Sequence, residues 1–262
     1  MLTHEEILVL YDQEQRIEVE YPGVRREVTD LVVRHIDVAG QPGKGFVVYS
    51  RLTAENADRA IDEQIAYFES IGQSFEWKLY DHDQPEDLRE RLIARGFEIE
   101  EPEAIMALDL NEAPELLLQP VMADIRRVSD PAQIADVISV QKQVWNRDFA
   151  NLRARLESEL VEQPDYVSIY LAYVDAMPVC SAWINFHPNS QFASLWGGST
   201  LPAYRRRGIY TAMVAVRTQE ALRRGYRFLT IDASPMSRPI VARLGFRLLT
   251  FAHACNWRVS RS

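Results

Sequence analysis

The sequence predicts an α/β protein built from two similar units. Strand and helix periodicities alternate along the chain, and the same order of elements occurs twice. Between the two runs lies Asn111–Pro120, whose two prolines interrupt any regular element and predict a linker. With 262 residues, the chain is long enough for two compact domains. We therefore expect domains at residues 1–110 and 121–262, joined by a linker at 111–120.

The first domain is predicted to alternate strands and helices. Ala57, Ile61, Ile65 and Phe68 follow helical spacing, and a later helix begins at a proline and stops at Gly96. The predicted elements are a strand at Gly45–Leu52, a helix from Ala57 to about Phe68, a strand at Phe75–Tyr80, a helix at Pro85–Arg95 and a strand at Ile105–Leu110.

The second domain repeats this order after a predicted hairpin. Strands are predicted at Tyr166–Val174, Pro178–Phe186, Phe192–Thr200, Phe228–Asp232 and Leu248–Trp257, with helices at Gly208–Arg224 and Pro239–Leu244. Gly96-Phe97 and Gly245-Phe246 follow matching helices in the two domains. Such junctions are common by themselves, because glycine suits the left-handed cap of a helix. The matching order of elements is what indicates a duplication.

Charge is distributed unequally between the two halves. Residues 1–120 carry 27 acidic and 11 basic side chains, or −16, whereas residues 121–262 carry 11 acidic and 18 basic, or +7. A basic half attracts polyanions, which include nucleic acids and nucleotide cofactors with several phosphates. Nucleic-acid binding predicts aromatic residues interleaved with basic ones. The arginines instead concentrate in one loop and at the end of the following helix, at Arg223 and Arg224.

That loop contains Arg205, Arg206 and Arg207 directly before Gly208. It leads from a predicted strand into a predicted amphipathic helix, so it presents unpaired N–H groups at the positive end of a helix. Arginines neutralise an anion held there, and glycine lets the main chain approach it closely. Three arginines alone also fit a solvated surface turn. The strand before the loop and the helix after it favour a diphosphate site.

From about residue 121 to 262 the chain resembles the GNAT superfamily of N-acetyltransferases. The family signature Arg/Gln-x-x-Gly-x-Gly/Ala is met by Arg205–Gly208 and broken at Tyr210, where a small residue is usual. Thr200–Pro202, Ala233–Ser237 and Leu244–Phe246 match further family segments. The resemblance implies two GNAT-like units, each a mixed, mostly antiparallel sheet flanked by helices. It also implies transfer of an acetyl group from acetyl-CoA to an amine of a small molecule or peptide.

The same resemblance implies which residues bind coenzyme A, and it implies no metal. Main-chain groups near Gly198 and Thr200 would pair with the pantetheine arm, and amides from Arg206 to Thr211 would bind the diphosphate. The large side chain of Tyr210 then has to point away from the phosphates. The complete implied set is Gly198, Thr200, Arg205, Arg206, Arg207, Gly208, Ile209, Tyr210, Thr211, Ser234 and Ser237.

The first domain resembles a degenerate copy. Its strand and helix are joined by Thr53–Asp58, which contains no glycine and places Glu55 and Asp58 where arginines would be needed. Carboxylates there oppose phosphate binding. We expect one cofactor per chain, in the second domain.

The catalytic residues are not identified by the sequence. The tyrosine that many GNAT enzymes place before Leu-Gly-Phe corresponds here to Val241, and Gln191–Thr200 lacks the carboxylate that is frequent on that strand. The candidates that remain are Ser237, Asp232, His253, Tyr210 and His187. Each has a structural alternative, such as a helix cap for Ser237 or a loop position for His187.

Aromatic residues are the candidates for an acceptor cleft, namely Trp145, Phe149, Trp183 and Trp196, although core packing explains each equally well. Two cysteines without CxxC spacing, no signal peptide and no apolar run of about 18 residues favour a cytoplasmic protein without a membrane partner. We expect no nucleic-acid partner, and a monomer in preference to an oligomer. The alternative function is a coenzyme A-binding sensor or scaffold without turnover.

Overall fold

The computed structural model describes residues 2–38 and 44–259. Its helices are α1 His4–Tyr11, α2 Ala57–Ser70, α3 Leu88–Ala94, α4 Glu115–Leu118, α5 Ile134–Trp145, α6 Ala150–Glu162, α7 Ile209–Arg223 and α8 Arg238–Arg243. Its strands are β1 Val24–Val28, β2 Val32–Asp37, β3 Lys44–Ser50, β4 Ser74–Tyr80, β5 Glu98–Ile99, β6 Glu103–Asp109, β7 Ile125–Arg127, β8 Val167–Val174, β9 Met177–Phe186, β10 Phe192–Thr200, β11 Phe228–Ala233 and β12 Arg247–Trp257. No described helix is long and apolar enough to cross a bilayer.

The chain forms two compact units. Unit 1 contains the first 105 residues, Ala233–Pro235 and the segment from Leu248 onward, whereas unit 2 contains Met106–Asp232 and Met236–Arg247.

The sheet of unit 1 has the strand order β1-β2-β3-β4-β12, with β5 also pairing β12. Only β3 and β4 pair in parallel; the other recorded pairs are antiparallel. Helix α2 presents Ala57, Ile61 and Phe68 to a core that contains Phe75 and Trp77 of β4. Phe68 and Phe75 stack with ring centroids 4.3 Å apart.

The sheet of unit 2 contains the strand order β7-β8-β9-β10-β11, again with one parallel pair, β10 and β11. Gln141 of α5 hydrogen-bonds Ser181 of β9, so α5 covers the face of the sheet on which Ser181 lies. Its neighbour Cys180 points to the opposite face, because side chains alternate along a strand. Asp175 and Ala176, both with positive φ (50° and 63°), form the tight turn between β8 and β9.

In each unit the strands form a mixed, mostly antiparallel arrangement, which confirms the predicted fold class. Most predicted elements lie within a few residues of their observed bounds, and the strand at Phe192–Thr200 matches at both ends. The two glycine–phenylalanine junctions also share one geometry. Gly96 and Gly245 have φ of 84° and 93°, and the N–H of the phenylalanine after each donates to a helical carbonyl five residues earlier at 3.2 Å.

Three details of the prediction need correction. Helix α3 begins at Leu88 rather than at Pro85, because residues 85–87 form a turn in which Leu88 N–H donates to Pro85 O at 2.9 Å. The segment 111–120 is not irregular: α4 forms between its prolines and buries Leu117. Gln219 of α7 holds α4 through the carbonyls of Leu117 and Gln119, at 3.0 and 2.8 Å.

The third detail is the last strand. β12 pairs with β4 and, from Leu248 onward, belongs to unit 1, whereas most of β6 belongs to unit 2. The compact units therefore differ from the segments 1–110 and 121–262 in the placement of the final strand. That residues 1–110 and 121–262 are two copies of one pattern stays a prediction.

Candidate functional site

The two parallel strands of unit 2 diverge before they end. Their pairing is recorded at Phe192, Ala193 and Ser194 of β10, opposite residues 228–230 of β11. Strand β10 then continues to Thr200 with its other edge still paired to β9. The edge of β10 that faces β11 therefore loses its ladder partner from Leu195 onward.

The loop after β10 has a backbone of alternating handedness. Arg206 (φ 62°) and Gly208 (φ 77°) are left-handed, and neither Arg207 nor Ile209 has a positive φ. Such alternation turns successive N–H groups toward a common point and forms an anion-binding concavity. An arginine in the left-handed region costs of order 1 kcal/mol, so the rest of the loop has to impose this conformation on Arg206.

Six consecutive N–H groups are free at this concavity. Among the residues that the structure describes, none accepts a hydrogen bond from the N–H groups of residues 206 to 211. The next residue, Ala212, donates to Gly208 O at 2.9 Å and is the first N–H bonded within the helix. A β-carbon added at Gly208 would meet no atom within 4 Å, so the space in front of the loop is open.

The three arginine side chains of the loop are exposed. Arg205 folds back and donates from Nε to Thr200 O at 3.1 Å, which ties the loop to the end of β10. The guanidinium of Arg207 lies 5.0 Å from the ring centroid of Tyr204. Arg206 makes no recorded side-chain bond within the described residues. Arg206 and Arg207 are thus available to an anion without breaking an ion pair.

Tyr210, which departs from the family signature, packs on β10. A β-carbon at Gly198 would lie 2.8 Å from Cε2 of the Tyr210 ring, so this ring takes the place of a side chain at Gly198. Burial raises the pKa of the Tyr210 hydroxyl, which keeps it protonated at neutral pH. Tyr210 therefore forms part of the wall of β10 beside the loop.

A buried arginine anchors the helix that follows the loop. Arg217 is 1% exposed and donates to Met213 O at 3.0 Å and to Trp183 O of β9 at 3.1 Å. No carboxylate is paired with it among the described residues, and burial lowers its pKa. No motif predicts a role for Arg217; the signal in the sequence is an arginine among apolar residues on the buried face of α7.

The other predicted site residues are distributed over both units. Ser237 and Asp232 lie in unit 2; Ser237 precedes α8, although its side chain makes no capping bond. Ser234 directly follows β11 and is assigned to unit 1, as is His253, whose Nε2 lies 3.4 Å from an Asp81 oxygen. Val241, at the position of the missing tyrosine, is fully buried.

His187 lies in the connection between β9 and β10, as predicted, but its side chain is buried. It is 3% exposed, its Nε2 lies 2.8 Å from Ser194 Oγ, and its ring packs edge-on against Tyr166 at 5.7 Å. Burial lowers the pKa of His187 to about 4. Because the folded protein keeps His187 neutral, protonation of this histidine favours the unfolded chain.

This burial predicts a pH-dependent contribution to stability. An unfolded histidine has a pKa near 6.5 and His187 a folded value of about 4, so the stabilisation is complete above pH 6.5 and is lost as the pH falls toward 4. By pH 5 we expect a loss of about 2 kcal/mol from this residue. Urea unfolding of wild type and His187→Gln at pH 7 and pH 5 measures this loss. The difference in the free energy of unfolding between the two proteins should be about 2 kcal/mol smaller at pH 5 than at pH 7. A difference that is the same at both pH values would contradict the lowered pKa of His187.

Unit 1 has no comparable concavity between β3 and α2. In this fully described segment, no residue from Arg51 to Ala57 has a positive φ. Thr53 O accepts from the N–H groups of Asn56 and Ala57 at 3.3 and 3.1 Å, and Asn56 Oδ1 accepts from Thr53 N–H at 2.8 Å. The N–H groups of Asn56 and Ala57 are therefore already bonded within the turn before α2.

No protein-family model matches the chain, and no curated protein sequence matches it. Solved structures do share its fold. A GCN5-related N-acetyltransferase from Kribbella flavida superimposes with a TM-score of 0.70 at 16% identity, covering 98% of this chain and 96% of its own. A conserved protein of unknown function from Staphylococcus epidermidis gives 0.69 at 16% identity, covering 99% and 98%.

A tandem GNAT protein from the clavulanic acid biosynthesis pathway superimposes with a TM-score of 0.59 at 12% identity, covering 96% of this chain and 88% of its own. At these identities the comparison establishes the fold. It extends over both units, in agreement with the resemblance seen in the second half of the sequence. The chain therefore has the fold of the GNAT superfamily, built as two GNAT-like units.

Proposed function

We propose that unit 2 binds acetyl-CoA and transfers its acetyl group to an amine. The observation that carries the proposal is the set of six free N–H groups at residues 206 to 211, in front of an open space and beside exposed arginines. A diphosphate requires this combination of converging donors and positive charge. Solved structures of the same fold that are described as GCN5-related N-acetyltransferases support the assignment.

The unpaired edge of β10 fits the rest of the cofactor. Pantetheine contains two amides, and an extended edge offers main-chain N–H and C=O groups for such amides to bond. Residues 195–200 lead directly to the diphosphate loop. Gly198 and Thr200 lie on this edge, and we assign the pantetheine arm to it. Ser237, at the start of α8, remains a candidate for a further cofactor contact.

When bound, acetyl-CoA supplies a thioester that a neutral amine can attack. The loop N–H groups and arginines fix the diphosphate end, and the edge of β10 orients the arm. Binding therefore holds the thioester in position for attack by the amine. An amine of pKa ~10.4 is neutral in only about one molecule in 10³ at pH 7. The amine must therefore lose a proton before it attacks, and Asp232 and Ser237 remain candidates to assist.

A coenzyme A-binding sensor without turnover is the second candidate. Two observations favour it. Val241, where many GNAT enzymes have a tyrosine, is fully buried, and β10 has no carboxylate. Two assays distinguish the candidates: thiol release from acetyl-CoA with a panel of amines, and a thermal shift with coenzyme A. Stabilisation with turnover supports the enzyme, whereas stabilisation without turnover on any amine supports the sensor.

We also propose that each chain binds one cofactor, because the matching space in unit 1 is filled. The parallel pairing of β3 and β4 stops at Val47 and Trp77, although both strands continue for three more residues. The side chain of Arg16 lies between the diverging ends. Its Nε donates to Val48 O of β3 at 3.0 Å, and its guanidinium lies 3.8 Å from the ring centroid of Tyr80 of β4.

Arg16 is held in this position by carboxylates. It is fully buried, in a π-helical turn (Asp12–Ile17) that continues α1. Asp83 and Asp12 lie 2.6 and 2.9 Å from its Nη atoms. Burial disfavours its charge, but the charges of Asp83 and Asp12 outweigh that effect and raise the pKa of Arg16. A ligand arm would have to displace this charged side chain.

Replacing Arg205 with alanine is expected to weaken coenzyme A binding by about tenfold, less than a change at the loop backbone. The six N–H donors stay in place, and the side chain lost is the one already bonded to Thr200 O. Calorimetric titration with coenzyme A measures the change. Arg59→Ala, which removes an exposed arginine of α2 in unit 1, is the control and should bind as wild type. Binding by Arg205→Ala that is lost altogether would show that the side chain, not the backbone, dominates.

A further inference from the structure

Two exposed tryptophans lie on one face of β10. Trp145, the last residue of α5, is 46% exposed, and Trp196 of β10 is 40% exposed. Trp183 and Phe149, by contrast, are 5% and 8% exposed and belong to the core of unit 2. The structure thus separates the four aromatic candidates into two core residues and two surface residues.

A β-bulge brings these two indoles to the same face. Trp196 lies opposite Trp183 of β9 and Ser199 lies opposite Ser181, with a register shift between the two pairs. Trp183 and Ser181 are two residues apart and share a face of β9. Trp196 and Ser199, three residues apart, therefore share a face of β10. Trp145 reaches that face from α5, since its Nε1 donates to Ser199 Oγ at 2.9 Å.

Gly197 makes the bulge possible. Its φ is 63°, and a β-carbon on it would lie 1.8 Å from Cζ3 of Trp183. Its carbonyl turns toward α5 and accepts from Gln141 Nε2 at 2.6 Å. Any side chain at this position would push Trp183 out of the core and move Trp196 relative to Ser199.

Both indole N–H groups are already bonded within the protein. Trp196 Nε1 donates to Ser194 Oγ at 2.8 Å, and the same oxygen lies 2.8 Å from His187 Nε2. Ser199 Oγ, which accepts from Trp145, donates to Gln141 Oε1 at 3.1 Å. These bonds fix the orientation of both rings. A ligand therefore meets ring faces and carbon edges, not indole N–H donors.

The two strands on this face carry no carboxylate, since neither β9 nor β10 contains an aspartate or glutamate. The segment between α5 and α6 contributes the exposed Asp148, whose oxygen lies 4.0 Å from Lys142 Nζ. A polycationic ligand would find no matching set of negative charges on these strands, whereas a ring with a single amine would find two ring faces.

On the basis of the proposed function, we propose that Trp145 and Trp196 bind the ring of the acyl acceptor and that this acceptor is an aromatic monoamine. Trp196 lies on β10, to which the pantetheine arm is assigned, and Trp145 is bonded to Ser199 of the same strand. A ring held there places its amine beside the thioester. Apolar surroundings also lower the pKa of an amine, because they disfavour the ammonium form. A lower pKa raises the fraction of the amine that is neutral and reactive, at a site where β10 supplies no carboxylate base.

The test compares acceptors and variants of the full chain. Thiol release from acetyl-CoA is measured with 2-phenylethylamine, hexylamine and spermidine. We expect 2-phenylethylamine to have the highest kcat/KM. In Trp145→Ala and Trp196→Ala its kcat/KM should fall by about tenfold, while that of hexylamine changes by less than about threefold. Trp196→Phe should keep the preference for the aromatic amine, and Val161→Ala, which trims an exposed side chain on α6, should match wild type.

Two further measurements separate this inference from the proposed function. Thermal shift with coenzyme A is recorded for every variant, and binding of 2-phenylethylamine is measured directly by calorimetry. If 2-phenylethylamine binds and both alanine variants weaken its binding, the inference is supported even without turnover. If coenzyme A binds but no amine is acetylated, only the proposed enzymatic function is contradicted. A preference for spermidine, or alanine variants that treat the aromatic and aliphatic amines alike, would overturn the inference.

Discussion

Replacing Gly208 with valine is expected to weaken coenzyme A binding by at least about a hundredfold while the chain stays folded. The expected size corresponds to the loss of one or two hydrogen bonds to a charged group, each about 1.5–3 kcal/mol. A β-branched residue avoids the left-handed conformation that Gly208 adopts (φ 77°), so the loop must change its backbone angles. No protein atom lies within 4 Å of the added β-carbon, so the effect comes from the backbone conformation and not from a clash.

The chain offers a matched control at the other end of the same helix. Gly225 has φ 80° and, like Gly208, no atom within 4 Å of an added β-carbon. Gly225→Val should therefore lose a similar amount of stability without affecting coenzyme A binding. Thermal melts and calorimetric titrations of both variants make the comparison. Equal binding by the two variants would mean that the loop does not hold the diphosphate.

Replacing Arg16 with methionine is expected to lower the free energy of unfolding by about 3–5 kcal/mol. Removing one partner of a buried ion pair leaves the other charge uncompensated. Of the two carboxylates that pair with Arg16, Asp83 is the more deeply buried, with a side chain that is 4% exposed. The ring of Tyr80 also loses the guanidinium stacked on it. Urea unfolding at pH 7 measures the loss.

Two variants show whether the carboxylate is the cause. Arg16→Met combined with Asp83→Leu should recover a large part of the stability, because the more deeply buried carboxylate is removed and Asp12 still has His82 at 2.9 Å. Arg217→Met removes an equally buried arginine that has no carboxylate partner and should cost clearly less. A double variant as unstable as Arg16→Met would show that packing between β3 and β4, rather than charge, is what Arg16 supplies.

The elements with strong local patterns were predicted well, and those fixed by distant contacts were not. β10 and α7 follow from apolar periodicity, and the bend between them follows from Gly208. The pairing of β12 with β4 joins residues more than 170 positions apart, and no local pattern records such a partner. Helix α4 is similar: two prolines indicate a break, but the carbonyls at its end are satisfied by Gln219 of α7.

The candidate site also contains residues that a local pattern predicts and residues that only distant contacts bring together. The residues of the proposed diphosphate loop are adjacent in sequence, so a motif can identify them. The proposed acceptor side depends on Ser199, Gln141 and Trp145, which come together only when α5 packs on a bulged β10. The position of Arg16 could not be predicted either. It fills a space between two strands, and no local pattern near the N-terminus indicates this.

The most direct test of the account is a structure of the full chain with coenzyme A bound. We expect diphosphate oxygens within about 3.2 Å of several N–H groups from residues 206 to 211, and the pantetheine arm on the edge of β10 between Leu195 and Thr200. One molecule should be bound per chain, with Arg16 still bonded to Val48 O. A diphosphate bound elsewhere, or a loop whose N–H groups bond to the protein instead, would contradict the account.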